Sequence, residues 1–290
     1  MFIRSLLFAP ANRPELLKKF PRYKADAFVI DLEDGTPESE KGEARRQLAG
    51  IVEYVRAQHL EGLLFVRTNT PGSSHIDADL DSALRADIDG LMIPKVGTPA
   101  DLNRFGKAAV DAERTGRRRV DLIGLIETAA GVRNVQAISA AEPHLRALCF
   151  GGEDFISDIG GQRTAEGLEV LYARSQVVVA AKAAGLNAID QVVVDIRDDE
   201  QFRRDAVMGR NLGYDGKMCL LPRQVELANE VFSPTQEEID RSRRLVAAYE
   251  AATAAGRGVI DFEGRMVDSP LLRRARAVLD VASRLRESTS

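Results

Sequence analysis

Only two cysteines, Cys149 and Cys219, occur in the 290 residues, and both lie inside apolar runs. That argues against a disulfide framework and for buried thiols in a reducing compartment, so the protein is expected to be cytoplasmic. No histidine stands within four residues of either cysteine in sequence, which argues against a catalytic thiol. No apolar stretch approaches the roughly 20 residues that span a bilayer, and the apolar core within Met1–Glu15 is too short for a secretory signal. Positive charge is not in excess either: 40 Lys and Arg face 44 Asp and Glu, for a net charge of −4. General attraction to nucleic acid or to an anionic membrane is therefore not expected. The local run Arg117-Arg118-Arg119 precedes an apolar segment, where a solvated loop is the first reading and a phosphate contact the second. Internal repeats and low-complexity segments are absent.

What is present is an alternation. Short apolar runs rich in β-branched residues occur at Ile3–Phe8, Ala27–Leu32, Leu63–Arg67, Gly90–Pro94, Leu122–Glu127, Leu145–Gly151, Ala188–Val194 and Gly216–Leu221. Between them, segments such as Glu38–His59, Pro99–Thr115, Leu168–Ala184 and Asp199–Leu212 carry apolar residues at helical spacing. Eight strand-like runs alternating with helical segments predict parallel βα units. A closed (β/α)8 TIM barrel and an open doubly wound sheet both fit this rhythm. The barrel is favoured by the count of eight, and by polar residues that gather at the carboxyl ends of the runs, the face where barrel enzymes place their chemistry. An open dinucleotide-binding sheet would more often show GxGxxG after its first strand, where this chain has Pro10-Ala11-Asn12-Arg13-Pro14. The barrel is expected over residues 1–232. Residues 233–290 are expected to form a helical extension or lid reaching a neighbouring subunit. Ser233 or Thr235 is the candidate cap of a helix Gln236–Ala255, and a short segment Gly258–Pro270 precedes a last helix, Leu271–Arg286. Residues Glu287–Ser290 are expected to fray.

Several residues at the ends of the runs are candidates for chemistry. Asp31-Leu32-Glu33-Asp34 puts three carboxylates at the end of an apolar strand, where they would repel one another unless cations or a metal stand nearby. For any one of the three, a loop role such as Asp34 capping the next turn competes. Arg67 closes another strand; on a barrel's active face a guanidinium there is better read as gripping a carboxylate or enolate than as a salt-bridge anchor. Lys95 has the same two readings, anion binder or partner of the Asp31–Asp34 cluster, and they stay open. Glu127 and Asp154 end consecutive runs, which puts both carboxylates on one side of the barrel mouth. Two carboxylates, with water and substrate oxygens completing the shell, is the usual arrangement for Mg2+. The Gly151-Gly152 pair lets backbone approach a ligand, and Glu153 is expected to point elsewhere.

These residues occur within a pattern that resembles the citrate lyase beta-subunit-like family, related to malyl-CoA and citramalyl-CoA lyases and to the HpcH/HpaI aldolases. The resemblance runs from Arg4-Ser5-Leu6-Leu7-Phe8-Ala9-Pro10-Ala11-Asn12-Arg13-Pro14-Glu15 through Asp31-Leu32-Glu33-Asp34 with Lys41 and Ala44-Arg45. It continues through Val66-Arg67-Thr68-Asn69, Pro94-Lys95, Ile126-Glu127-Thr128-Ala129 with Gly131, and Phe150-Gly151 with Asp154-Phe155. Gly216-Lys217 with Pro222 and Gln224, and then Met266-Val267-Asp268-Ser269-Pro270, complete it. Order and spacing together are specific to the family, though not to one substrate.

The resemblance implies a barrel that assembles as a homotrimer or hexamer. It implies Mg2+ held by Glu127 and Asp154, substrate contacted by Arg67, and Asp268 reaching a neighbour's active site. The activity implied is cleavage of a citryl-, malyl- or citramalyl-CoA-like thioester into an acyl-CoA and a keto acid. In that scheme Arg67 stabilises the thioester enolate, Asp268 exchanges a proton with its carbon, and Glu33 and Asp34 orient Arg67 or water. The alternatives are the beta subunit of a multi-subunit citrate lyase, working on an acyl-carrier-protein thioester, and a class II aldolase working on pyruvate. The chain departs from the family's pattern at Leu221, where His is usual, and at Gly35-Thr36. An apolar Leu221 is expected to remove one hydrogen-bonding group from the mouth and leaves the acyl group open.

Overall fold

Seven of the eight strands follow helical crossovers and carry runs of residues buried on both faces, as parallel strands covered by helices must. In the computed structural model, which describes residues 1–287, these strands are β1 (Ser5–Pro10), β2 (Ala27–Asp31), β3 (Leu63–Arg67), β4 (Gly90–Ile93), β5 (Asp121–Ile126), β6 (Leu145–Phe150), β7 (Asn187–Asp190) and β8 (Gly216–Cys219). Residues 288–290, for which fraying was expected, lie outside the described residues. Each strand pairs in parallel with the next, and β8 closes on β1 through Leu6↔Met218 and Leu7↔Cys219, giving a closed eight-stranded barrel. The fold is the (β/α)8 barrel that the alternation predicts.

Side chains alternate across each strand. Leu6, Val29, Phe65, Met92, Ile123, Leu125, Cys149, Ile189 and Met218 fill the interior. The intervening residues, such as Phe28, Ile30, Leu64, Val66, Leu91 and Leu148, pack outward in the cluster shared with the helices. The helices are α1 (Pro14–Leu17), α2 (Lys41–Ala57), α3 (Ile76–Arg85), α4 (Ala100–Arg114), α5 (Ala129–Ser139), α6 (Gly152–Ile159), α7 (Leu168–Ala183), α8 (Asp199–Leu212) and α9 (Pro222–Val231). Both thiols are buried; burial pushes the Cys219 thiol up to about 12 and Cys149 well above its usual value, so neither is a thiolate nucleophile. The arginine run is structural. Arg117 donates to the Ala86 carbonyl, Arg118 pairs with Asp87 and Asp89, and Arg119 pairs with Asp121.

The run at Ala188–Val194 yields a shorter strand than its hydrophobicity suggests. Outward-facing Asp190 ends β7, fully buried, and meets Arg174 of α7 and Lys217 of β8. Lys217 also pairs with Asp205 of α8 and donates to the Gln191 carbonyl at 2.7 Å. The chain after Asp190 thus spends its backbone on this charged cluster rather than on the ladder. Removing one partner of a buried, satisfied ion network leaves an uncompensated charge. Lys217→Met is therefore expected to lower stability by roughly 3–5 kcal/mol, read as a shift in the urea midpoint; an unchanged midpoint would show that the network carries little stability.

A second compact unit, Ser233–Ser290, follows the first, Met1–Phe232. Its first helix, α10 (Gln236–Ala254), is capped by Thr235, with Glu238 reaching back to the Thr235 amide in a reciprocal capping box. The segment expected only as a connection is a hairpin of β9 (Ile260–Phe262) and β10 (Arg265–Val267). Its two turn residues, Glu263 and Gly264, take φ of 54° and 74°, the left-handed pair that a tight hairpin turn demands. The last helix, α11 (Ser269–Glu287), packs Leu272 and Ala275 with Leu245, Tyr249 and Val267.

Candidate active site

The inner face of the barrel does not stop at its last apolar layer. Two residues beyond Val29, Phe65 and Leu125 stand Asp31, Arg67 and Glu127, so strand periodicity aims all three into the mouth. There they line a cavity of about 420 Å³, together with Asp34, Gly151, Gly152 and Asp154. Asp154 arrives differently from the expectation of a strand end. It sits in the first turn of α6, where the helix N-terminus favours a carboxylate.

Arg67 is the pivot of the acidic cluster. Its Nε and Nη2 donate to the two oxygens of Asp31 at 2.8 and 2.6 Å, and its Nη1 lies 3.0 Å from Glu33 Oε2. The guanidinium also stacks over the Phe8 ring, 5.5 Å from its centre. Burial acts to raise the Asp31 carboxyl, but the Arg67 charge and hydrogen bonds, with the amides of Glu33 and Gly35, hold it below its usual range. Glu33 goes the other way: burial outweighs its cations and raises it. The bidentate grip on Asp31 leaves no space beside it, since a Cβ on Gly35 would fall within 2.4 Å of Asp31 Oδ2.

Lys95 resolves toward the acidic cluster, and it reaches further than that reading allowed. Its Nζ donates to Glu33 Oε1 at 2.7 Å and lies 3.4 Å from Asp34 and 3.6 Å from Asp154. Its own amide donates to Glu127 Oε1 at 2.8 Å. To do both, Lys95 takes φ of 51°, a left-handed backbone that a lysine adopts only under constraint. Asp34 is the rim member of the group, with 61% of its side chain exposed. Glu153 pairs with Arg163, the direction expected for it, although it also contributes to the cavity's lining.

Glu127 is held between the last rung of β5 and Thr128, whose hydroxyl caps α5 by accepting from the Gly131 amide. Burial, then the charge of Asp154, push its carboxyl up to about 8 against the pull of Arg67. A buried carboxylate raised further by the charge of a neighbouring one calls for a cation between them. Space for one is kept by Gly151, where a Cβ would lie 2.6 Å from both Glu127 Cβ and Oε2. Among the described residues no group of three or more His, Cys, Asp and Glu could hold a metal by itself. The donors that fit are therefore two oxygen ligands with the rest of the shell left to water and substrate, which suits a hard ion such as Mg2+.

Four residues that the sequence reading left without a role brace the site. Buried Lys41 of α2 donates to the carbonyls of Leu32 and Glu33 at 3.0 and 3.1 Å and to Asn69 Oδ1. Asn69 in turn donates to Leu32 and to Asp79, which Arg45 meets at 2.8 Å. The loops carrying Glu33 and Arg67 are thus tied to α2 and α3. The i, i+4 spacing of Lys41 and Arg45 after the acidic loop is the signal in the sequence. Leu221, by contrast, is not among the residues that line the cavity; Leu220 is. Strand periodicity explains the difference, because Leu220 lies two residues beyond inward-facing Met218 while Leu221 caps α9. Asp268 lies in the second unit, between β10 and α11, with a buried Oδ1 that has no hydrogen-bond partner among the described residues.

A closed parallel barrel with carboxylates and an arginine at the carboxyl ends of its strands is a (β/α)8-barrel enzyme with an acidic, cation-compatible centre. The chain belongs to the HpcH/HpaI aldolase/citrate lyase family, whose model matches residues 4–222. It is 42% identical over 281 residues to a citrate lyase subunit beta-like protein of Deinococcus radiodurans, covering 96% of each chain. To the mitochondrial citramalyl-CoA lyase of Rattus norvegicus it is 35% identical over 296 residues, covering 98% of this chain and 87% of the relative. Among solved structures it is similar to the protein CitE from Mycobacterium tuberculosis in complex with magnesium, acetoacetate and coenzyme A. That match has a TM-score of 0.79 and 32% identity over 97% of this chain and 98% of the other.

Proposed function

We propose that the chain is a Mg2+-dependent carbon–carbon lyase that cleaves a 3-hydroxy-3-carboxyacyl thioester, of the citryl-, malyl- or citramalyl-CoA kind, into an acyl-CoA and a keto acid. The observation that carries this reading is the Glu127–Asp154 pair, set beside Arg67 in one cavity at the barrel mouth, with Lys95 paired to Asp154 behind it. Relatives named citramalyl-CoA lyase and citrate lyase subunit beta, and a neighbour solved with magnesium and coenzyme A, support it.

Glu127 and Asp154 would hold the ion. Bound there, Mg2+ supplies Lewis-acid chemistry, polarising hydroxyl and carboxylate oxygens of the substrate and balancing its charge. Cleavage passes the carbinol hydroxyl proton to water at the rim beside Asp34, breaks the bond between the carbinol carbon and the thioester α-carbon, and moves that electron pair onto the thioester oxygen. Arg67 has five N–H groups; Asp31 accepts two of them and Glu33 pairs with the guanidinium at 3.0 Å, which leaves N–H groups free to meet that developing charge. Glu33 and Asp31 lock the orientation of Arg67, and Lys95 holds Glu127 by its amide and Asp154 by its ammonium. Asp34, on the rim beside Lys95, orients water there. Asp268 of a neighbouring subunit delivers a proton to the enolate carbon, a role supported by the match of Met266-Val267-Asp268-Ser269-Pro270 to the family's pattern.

The assembly proposed is a homotrimer or hexamer in the cytoplasm. Two buried free thiols favour a reducing compartment, and among the described residues no helix is long and apolar enough to cross a membrane. Incubation with Mg2+ and each thioester should release the acyl-CoA and the keto acid. Release only from an acyl-carrier-protein thioester would assign the chain to a multi-subunit complex instead. The shared site has its own test. Mixing Asp268→Ala with Arg67→Ala subunits should restore activity that neither variant has alone, and absence of rescue would place Asp268 outside the neighbour's site.

A further inference from the structure

The walls of the cavity are segregated by strand. From β2 round to α6 the lining carries every charged group, including Asp31, Arg67, Glu127 and Asp154, with Lys95 behind them and Leu125 of β5 as the apolar member of that arc. The remaining arc, β7, β8 and β1, is contiguous because β8 closes on β1. It contributes Val192, Met218, Leu220 and Phe8, all apolar. Among the residues lining the cavity Arg67 is the one cationic side chain, and it is already paired with two carboxylates: Asp31 accepts two of its N–H groups and Glu33 lies 3.0 Å away. The apolar arc does own a cation, Lys217 of β8, but strand alternation turns it outward. There its ammonium is taken up by Asp190, Asp205 and the Gln191 carbonyl.

We infer that the apolar arc selects the substituent on the carbinol carbon of the substrate, accepting hydrogen or methyl and rejecting carboxymethyl. This inference rests on the proposed lyase activity and narrows its substrate class. The three candidate thioesters share one carboxylate and one hydroxyl at the carbinol carbon, and they differ in the third group. Malyl and citramalyl thioesters carry hydrogen and methyl and release a monocarboxylic keto acid. The citryl thioester carries a second carboxylate and releases a dicarboxylic one. The shared carboxylate and hydroxyl belong with the polar arc. A second carboxylate would then meet either an apolar wall with no counter-charge, which desolvates it unpaired, or the surplus of acids on the polar arc, which repels it. A methyl group meets neither penalty and gains contact with Met218 and Leu220.

Two measurements on the full chain decide this. With Mg2+ present, kcat/KM for citramalyl- or malyl-CoA is expected to exceed that for citryl-CoA by about a hundredfold or more, the ratio of several kcal/mol of like-charge and desolvation penalty. Leu220 is 37% exposed, so Leu220→Arg can fold, and it should shift that ratio toward citryl-CoA by at least about tenfold. Equal or faster cleavage of citryl-CoA by the wild type, or an unmoved ratio in Leu220→Arg, overturns the inference and leaves the lyase reading intact. Calorimetric titration of pyruvate against oxaloacetate in Mg2+ separates the two ideas. If no thioester is cleaved the lyase reading fails, while tighter binding of pyruvate still supports the selective wall and equal or tighter binding of oxaloacetate overturns it.

Discussion

Glu127→Gln and Asp154→Asn each lower the Mg2+-dependent cleavage rate at least about a thousandfold, equivalent to some 4 kcal/mol of lost transition-state stabilisation. The substitutions keep shape and remove one charge each, so folding is preserved while the ion loses one of its two protein ligands. Asp154→Asn also relieves the repulsion that raises Glu127. The same pair predicts a pH dependence. Without divalent ions, the Glu127 carboxyl is held up to about 8 in the folded chain, chiefly by burial and then by Asp154. In the unfolded chain it ionises near the ordinary glutamate value of 4.5. Between these values the folded state binds the extra proton, so stability falls as pH rises from the lower to the higher. The wild type is expected to lose roughly 3–5 kcal/mol across that window relative to Glu127→Gln, and added Mg2+ should flatten the difference. Parallel stability–pH curves for the two proteins in EDTA would show that Glu127 is not raised.

Arg67→Met is expected to remove both stability and activity. Asp31 and Glu33 are 6% and 4% exposed and share this one guanidinium. Losing it leaves buried Asp31 uncompensated and Glu33 with Lys95 alone, which costs about 3–5 kcal/mol, and it deletes the donors aimed at the enolate oxygen, a loss of about 10²–10³ in kcat. Arg67→Lys separates the two effects. It restores a charge but not the fork that spans both oxygens of Asp31. Most of the stability should return while kcat stays depressed, with KM changed less than kcat. Wild-type kcat in Arg67→Lys would mean that a point charge suffices and the guanidinium geometry is not used.

Much of this arrangement is legible in the sequence because a barrel mouth is an extrapolation of strand periodicity. Asp31, Arg67 and Glu127 interrupt apolar runs at the positions where the inward face emerges. The same rule, applied with the right phase, picks Leu220 over Leu221; the phase requires knowing that Met218 points inward. Asp154 was legible as a neighbour of Glu127, although it rides on α6 and not on β6. Other features lack a local signature. The left-handed backbone of Lys95 exists because its amide and its ammonium serve different carboxylates, which are distant in sequence. Asp79 shows as a polar residue on an amphipathic helix, yet it is fully buried because Asn69 and Arg45 satisfy it. The β9–β10 hairpin hides in three-residue strands too short to show alternation.

The measurement that bears most directly on the metal centre is a crystal structure of the chain soaked with Mg2+ and pyruvate. One ion is expected, bound by carboxylate oxygens of both Glu127 and Asp154 at about 2.1 Å, with the keto acid completing its shell and Arg67 still bridging to Asp31. An ion bound elsewhere, or pyruvate held without any ion touching Glu127 and Asp154, would contradict this assignment.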